Sequence, residues 1–299
     1  MKQLSLVALT VSIASNFSFS QTPLLVSTDW VAEHSKDPNI VFIQVSSNRR
    51  EFENGHIPGA RFLWWQYLSP SNPDESTGLP PPDQAKNTLE EIGISNGARV
   101  VLYGGLGVIT LLTRMFLMFE YLGLGESTSI MSGGMDAWKA EKREVATGPA
   151  AKIGRGTFVI KQNPSVIVDA DWVKSNLKNS SVTIVDARAK QFYDGTPGSP
   201  QRSGHIAGAK NVTFSNMVDS LNRFKSLDSL KKYFSAASVD PSSKIVTYCF
   251  VGQQATTTYF AARLLGYDAA VFDGSWDVWS TLDDSYPVEQ TILPKPASN

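Results

Sequence analysis

The chain carries an internal repeat, and a repeat at domain spacing points to two like domains before any other property is weighed. Gly55-His56-Ile57-Pro58-Gly59-Ala60 recurs as Gly204-His205-Ile206-Ala207-Gly208-Ala209. An apolar run fit for a buried strand precedes each copy, at 40–45 and 182–185, and another follows it, at Arg99–Tyr103 and Lys244–Tyr248. The second run of each half leads through a glycine-bearing turn into a helix-like segment, 109–122 and 254–265, stopped by Gly123 and Gly266 as a C′ glycine would stop it. Each half closes on a related phrase, Gly133-Gly134-Met135-Asp136-Ala137-Trp138 and Asp273-Gly274-Ser275-Trp276-Asp277-Val278-Trp279. Short β-branched runs alternating with amphipathic segments of about a dozen residues predict two α/β domains, each a largely parallel sheet flanked by helices. The expected domains are 21–147 and 158–299, joined by a Gly- and Ala-rich linker at 148–157.

Composition narrows the function. With 27 Lys+Arg against 28 Asp+Glu, net charge −1, there is no basic excess to bind nucleic acid or a membrane surface. One cysteine, Cys249, excludes an intrachain disulfide and any multi-cysteine metal site. His34, His56 and His205 are too scattered to suggest a metal centre, so no metal and no cofactor is expected. Lys2, the apolar stretch at 4–13 and the small residues around Ser18-Phe19-Ser20 read as a signal peptide over 1–20, with Gln21 the new N-terminus. The apolar run is too short to span about 30 Å of hydrocarbon. The expectation is an exported, soluble, periplasmic protein that acts as a monomer.

In an oxidising compartment a lone cysteine is not a structural staple, so its setting matters. Cys249 follows the strand-like Ile245-Val246-Thr247-Tyr248 and precedes Phe250-Val251-Gly252-Gln253-Gln254-Ala255-Thr256, which feeds a helix. Functional loops of parallel sheets lie beyond the carboxyl ends of strands. A turn entering a helix presents unpaired backbone N–H groups that stabilise a thiolate, lower the thiol pKa and hold an anion. Gly252 lets such a loop close without a Cβ clash. The expectation is therefore an ionised thiol, reachable from solvent. The alternative is a small buried hydrophobe.

These phrases, in this order and duplicated, resemble the tandem-domain rhodanese superfamily, the thiosulfate and 3-mercaptopyruvate sulfurtransferases. Gly55–Ala60, Gly204–Ala209, Asp186-Ala187-Arg188, the loop 249–256 and Asp273-Gly274-Ser275-Trp276 carry the likeness, which covers roughly 24–288. It implies that Cys249 takes the outer sulfur of a small anionic donor such as thiosulfate, forms a persulfide and yields the sulfur to cyanide, a thiol or a partner protein. It also implies that the backbone N–H groups of Phe250 to Thr256 stabilise the developing charge and that Arg188 binds the donor's anionic end. An ion pair with Asp186 is the structural alternative for Arg188. The first half reads Tyr103-Gly104 where the second reads Tyr248-Cys249, so it lacks a nucleophile and is expected to pack against the active half and close one wall of the site.

Two departures concern the donor. Thiosulfate enzymes of the superfamily carry basic residues after the cysteine, and mercaptopyruvate enzymes read Cys-Gly-Ser-Gly-Val-Thr; Phe250 and Val251 match neither. Gln253 and Gln254 offer neutral amides instead, and Lys190 is the one cation available near a second arginine's usual place. Thiosulfate is the expected donor, with mercaptopyruvate, or a non-enzymatic persulfide carrier or anion-binding module, as alternatives. A cysteine phosphatase needs an arginine six residues after the cysteine; that position is Ala255. His56 and His205 recur in both halves, active or not, which assigns them to the fold. Trp276 and Trp279 are expected to pack, one face of Trp64-Trp65 is expected to turn inward, and 71–82 reads as a surface loop.

Overall fold

The computed structural model describes residues 23–71, 78–105, 107–195 and 202–291. The leader expectation at 1–20 and most of the 71–82 loop lie outside them. Pro82 is the first residue of a helix and not part of that loop, with its ring at a position where no N–H is missed.

In the first half, strands β1 (Leu25–Val26), β2 (Ile40–Ser46), β3 (Arg61–Trp64), β4 (Arg99–Tyr103) and β5 (Thr128–Met131) form a parallel sheet in the order β1-β5-β4-β2-β3. Helices α1 (Thr28–His34), α2 (Arg49–Asn54), α3 (Pro82–Glu91), α4 (Ile109–Tyr121) and α5 (Gly134–Ala140) accompany it. The second half repeats the plan: β6 (Ile167–Val168), β7 (Val182–Asp186), β9 (Lys210–Asn211), β10 (Lys244–Tyr248) and β11 (Ala269–Phe272) form a parallel sheet ordered β6-β11-β10-β7-β9. Its helices are α6 (Ala170–Asn176), α7 (Lys190–Asp194), α8 (Leu227–Ala236), α9 (Ala255–Leu264) and α10 (Ser275–Trp279). A short antiparallel ribbon pairs β8 (His205–Ile206) with β12 (Val288–Glu289), and a single bridge, His56 to Ala146, holds its place in the first half.

The central strands are apolar along their length because helices cover both faces. Alternation still sorts the side chains. Val41, Ile43 and Val45 face the core that contains α4, whereas Ile40 and Phe42 face a separate cluster. Trp64 and Trp65 divide in the same way between those two clusters. The core around α4 continues without a break into the second half, where it takes in Ile245, Tyr259 and Phe260. Phe116 of α4 meets Phe260 of α9 edge-on at 4.7 Å. Helix α4 is apolar nearly all round, as a helix buried between two sheets must be. Two charged residues on it, Arg114 and Glu120, are nevertheless buried and answered across the boundary: Glu120 takes hydrogen bonds from Tyr259 (2.5 Å) and Arg263 (2.7 Å) of α9. Gly123 and Gly266 end the two helices in the left-handed conformation.

Candidate active site

Strand β10 delivers Cys249 to the loop that enters α9, and the loop turns its amides onto the sulfur. The backbone N–H groups of Ala255, Val251, Gln254 and Gly252 are directed at Sγ, and each favours the thiolate. Gly252 makes this closure possible with φ at +78°. A Cβ there would stand 2.5 Å from the Asp273 carbonyl oxygen and 2.8 Å from its Oδ1. The cradle is thus pressed against the turn after β11. That turn also holds the backbone of Cys249 itself. Ser275, left-handed at φ +52°, accepts the Cys249 N–H on Oγ at 3.1 Å and donates to the Phe272 carbonyl. The Trp276 and Asp277 N–H groups donate to the carbonyls of Cys249 and Phe250 at 3.0 and 2.9 Å.

The expected bowl of amides is present, but its contents differ from expectation in three respects. Cys249 has no exposed surface and belongs to the continuous core, so the thiol is not reachable in this conformation. Burial pushes its pKa up, outweighing the four amides, where a lowered value was expected. Arg188 is not an open fork for a donor. It is buried against Asp186, with Nε at 3.0 and 3.1 Å and Nη2 at 2.6 Å from the carboxylate, and Nη2 also donates to the Gly204 carbonyl. Its guanidinium lies 4.4 Å from the Trp276 ring centre and 5.2 Å from that of Phe250. Asp186 is shared with Tyr248, whose hydroxyl donates to it at 2.7 Å and accepts the Ile206 N–H.

Two further loop residues, Gln253 and Thr256, face the other domain. Gln253 donates one N–H of its side-chain amide to Thr110 Oγ at 3.0 Å, which ties it to α4 of the other domain. Thr256 gives its N–H to the Gln253 carbonyl and sets its hydroxyl 2.8 Å from that of Thr113. Neither its N–H nor its side chain is turned to the sulfur. Phe250, half-buried, meets the exposed Phe192 edge-on at 4.9 Å on the outer side of the loop. Lys190 is an exposed lysine paired with Asp194. His56 and His205 hydrogen-bond the carbonyls of Phe52 and Tyr193 and stack on those rings at 3.9 and 3.7 Å, a fold role in both halves.

Arg114 was not anticipated. It is fully buried, and its guanidinium pairs with Asp273 across the domain boundary, Nη2 to Oδ2 at 3.1 Å, while Nε donates to Ser69 Oγ at 2.9 Å. The available signal was an arginine within the otherwise apolar run Leu111-Leu112-Thr113-Arg114-Met115-Phe116-Leu117. No group of side chains among the described residues is arranged to hold a metal ion, and no described helix is long and apolar enough to cross a membrane.

Duplicated parallel sheets, with one amide-ringed cysteine after the central strand of the second, define a protein of two like α/β domains. The chain belongs to the rhodanese-like domain family, whose pattern matches it twice, at 27–141 and 169–282. It is 31% identical to the sulfur carrier protein TtuD of Thermus thermophilus over 88% of this chain and 96% of that one. It is 30% identical to the mitochondrial thiosulfate/3-mercaptopyruvate sulfurtransferase 1 of Arabidopsis thaliana, over 92% of this chain and 80% of the other. The crystal structure of SseA from Escherichia coli, described among 3-mercaptopyruvate sulfotransferases, superposes with a TM-score of 0.74 at 28% identity, covering 85% of this chain and 99% of SseA. The chemistry of the chain is sulfur transfer, with a sulfur donor and a sulfur acceptor as its substrates.

Proposed function

We propose that the protein moves a sulfane sulfur from thiosulfate to a thiophilic acceptor, cyanide or a thiol, through a persulfide on Cys249. The observation that carries this reading is the convergence of four backbone N–H groups on the sulfur of the chain's single cysteine. The Cys249 thiolate attacks the outer sulfur of thiosulfate; the sulfur–sulfur bond of the donor breaks and sulfite leaves with the bonding pair. The acceptor then attacks the terminal sulfur of the persulfide, and Cys249 departs as thiolate. In both displacements negative charge sits on sulfur inside the ring of amides, which are already oriented and need no reorganisation. Arg188, neutralised by Asp186, is a fixed support packed against Phe250 and Trp276. Access to Sγ requires a local opening, because the thiol is fully buried and burial favours its protonated state.

One observation supports a second reading, a sulfur carrier: the likeness to a protein named as a carrier. Mixing the purified protein with thiosulfate and cyanide separates them. Catalytic thiocyanate formation, abolished in Cys249→Ser, supports the enzyme; a stable adduct of one sulfur atom on Cys249 without turnover supports the carrier. Running mercaptopyruvate beside thiosulfate tests the donor, and a clear preference for mercaptopyruvate overturns the first choice. We further propose that residues 1–20 export the protein to the periplasm. N-terminal sequencing of material from the native host tests this, and a retained Met1 overturns it.

A further inference from the structure

We infer that Arg114, in the half without a nucleophile, is a positioning residue for the amide loop around Cys249. This rests on the sulfur-transfer reading of that loop and assigns the silent domain a part in it. The chain of contact is short. Arg114 is fixed to its own domain through Ser69 and pairs through two nitrogens with the Asp273 carboxylate. Asp273 lies flush against Gly252, where no side chain fits between them. Two residues on, Ser275 holds the Cys249 N–H. One guanidinium therefore holds a turn that touches the loop at its left-handed glycine and at the nucleophile's backbone. Thr110 and Thr113 reach the same loop from the preceding turn of α4, at Gln253 and Thr256.

Stability alone is a poor reason for this arrangement. A buried ion pair gives up much of its Coulombic gain to desolvation and is often matched or bettered by apolar residues of similar volume. What an arginine–carboxylate fork supplies beyond that is a fixed distance and angle. Charged residues that meet the loop or pair with one that does include Asp273 and Asp277 from the β11–α10 side, Asp186 and Arg188 from the end of β7, and Arg114 itself. Of these five, Arg114 comes from the other domain.

The test compares wild type with Arg114→Met, Arg114→Lys and Asp273→Asn. Backbone hydrogen exchange, which needs no donor, is expected to quicken about tenfold at 251–255 in Arg114→Met, while β4 and β7 keep their protection. With thiosulfate and cyanide, kcat per titrated thiol is expected to fall about ten- to a hundredfold, with the donor KM within about twofold, because Arg114 does not touch the donor. Arg114→Lys is expected to recover part of both. A purely structural role instead accelerates exchange throughout the chain and leaves kcat per active thiol unchanged. Unchanged exchange at 251–255 in a folded variant overturns the proposal, whether or not wild type turns over. Absence of turnover in wild type counts against the sulfurtransferase reading alone. Should Arg114→Met not fold, the near-isosteric Asp273→Asn carries the same comparison.

Discussion

The crossing from β4 into α4 and the crossing from β10 into α9 are built on one backbone plan. Gly107 and Gly252 are left-handed at matching places, φ +79° and +78°, and so are Gly134 and Ser275, φ +54° and +52°. The Met135 N–H donates to the Gly104 carbonyl at 2.8 Å as the Trp276 N–H donates to that of Cys249 at 3.0 Å. Tyr103 and Tyr248 both accept a backbone N–H of the glycine-flanked turn, from Ile57 and Ile206. The differences lie in charge. Gln44 pairs in register with Tyr103 where Asp186 pairs with Tyr248, and Ser46 stands where Arg188 stands. Beside Gly105 lies the Glu51 carboxylate, Oε1 2.7 Å from where a Cβ would be. One copy surrounds its loop with a balanced ion pair and aromatic rings, the other with an acid. Duplication preserved the scaffold, and the chemistry depends on a few side chains at its rim.

The severest challenge to this comparison is to move the nucleophile. Gly104→Cys in a Cys249→Ser background is expected to form thiocyanate at least about a thousandfold more slowly than wild type, the combined effect of a misplaced sulfur, about a hundredfold by itself, and a like charge that disfavours the thiolate. At Gly104 a Cβ would collide with the Val108 side chain and lie 3.3 Å from the Val45 carbonyl, and Glu51 would repel the thiolate. Only a shallow hollow borders Gly104 and Val108, so the overpacking penalty is expected at about 1–3 kcal/mol. Turnover within tenfold of wild type in the graft would show that the scaffold alone suffices.

Next in size is the ion pair that only the second half possesses. Arg188→Ala leaves Asp186 buried without its partner and is expected to cost about 3–5 kcal/mol of stability. Ser46→Ala, at the matching place, removes a 2.6 Å hydrogen bond to Glu51 and is expected to cost about 1 kcal/mol. Urea denaturation of the two variants checks the contrast. Equal losses would mean that the charge difference between the halves has no energetic weight.

Much of this was legible in the sequence because it depends on local pattern. The strands Arg99–Tyr103 and Lys244–Tyr248 have the bounds expected of them, since both-face burial writes an uninterrupted apolar run. The glycine stops at 123 and 266 followed from the same local chemistry. The repeated histidines were correctly assigned to the fold because their recurrence in a half without a thiol separates architecture from catalysis. The sequence was less informative where a side chain's partner is remote. Whether Arg188 faces a donor or Asp186 depends on a turn geometry that spacing does not encode. Gln253 and Thr256 read as loop chemistry but bond to α4, more than 140 residues earlier. The thiol's burial depends on how the loop closes against Asp273, a tertiary fact. Arg114 could have been flagged as a charge in an apolar helix, but nothing local names Asp273 as its partner.

The histidine pair offers a finer comparison, because here the two halves are expected to agree. Each imidazole makes one hydrogen bond to a carbonyl, worth about 1 kcal/mol net, and one ring stack, worth about 0.5–1.5 kcal/mol. His56→Ala and His205→Ala are therefore each expected to cost about 2 kcal/mol in urea unfolding, with sulfur transfer per folded molecule unchanged in His56→Ala. A loss of transfer in folded His56→Ala would place that histidine in the chemistry and break the fold assignment.

The smallest effect asks which influence on the thiol prevails, the amides or the burial. Burial raises the Cys249 pKa above its ordinary value of 9.0 in the folded chain, while the unfolded chain keeps that ordinary value. Below it both states hold the proton, and the thiol adds nothing to the pH dependence of folding. Above it the unfolded chain releases a proton that the folded chain retains. Stability is then lost as pH rises toward the folded value, by at most about 1.4 kcal/mol per pH unit. Cys249→Ser lacks this titration, and the buried tyrosines that titrate higher are common to both proteins. Urea midpoints measured at about pH 7 and about pH 9.5 are expected to show wild type losing up to about 1 kcal/mol relative to Cys249→Ser over that interval. A gap that instead moves in favour of wild type would mean that the four N–H groups hold a thiolate even in the closed loop. The resting protein would then be ionised before any donor arrives, and a local opening would be needed for access alone.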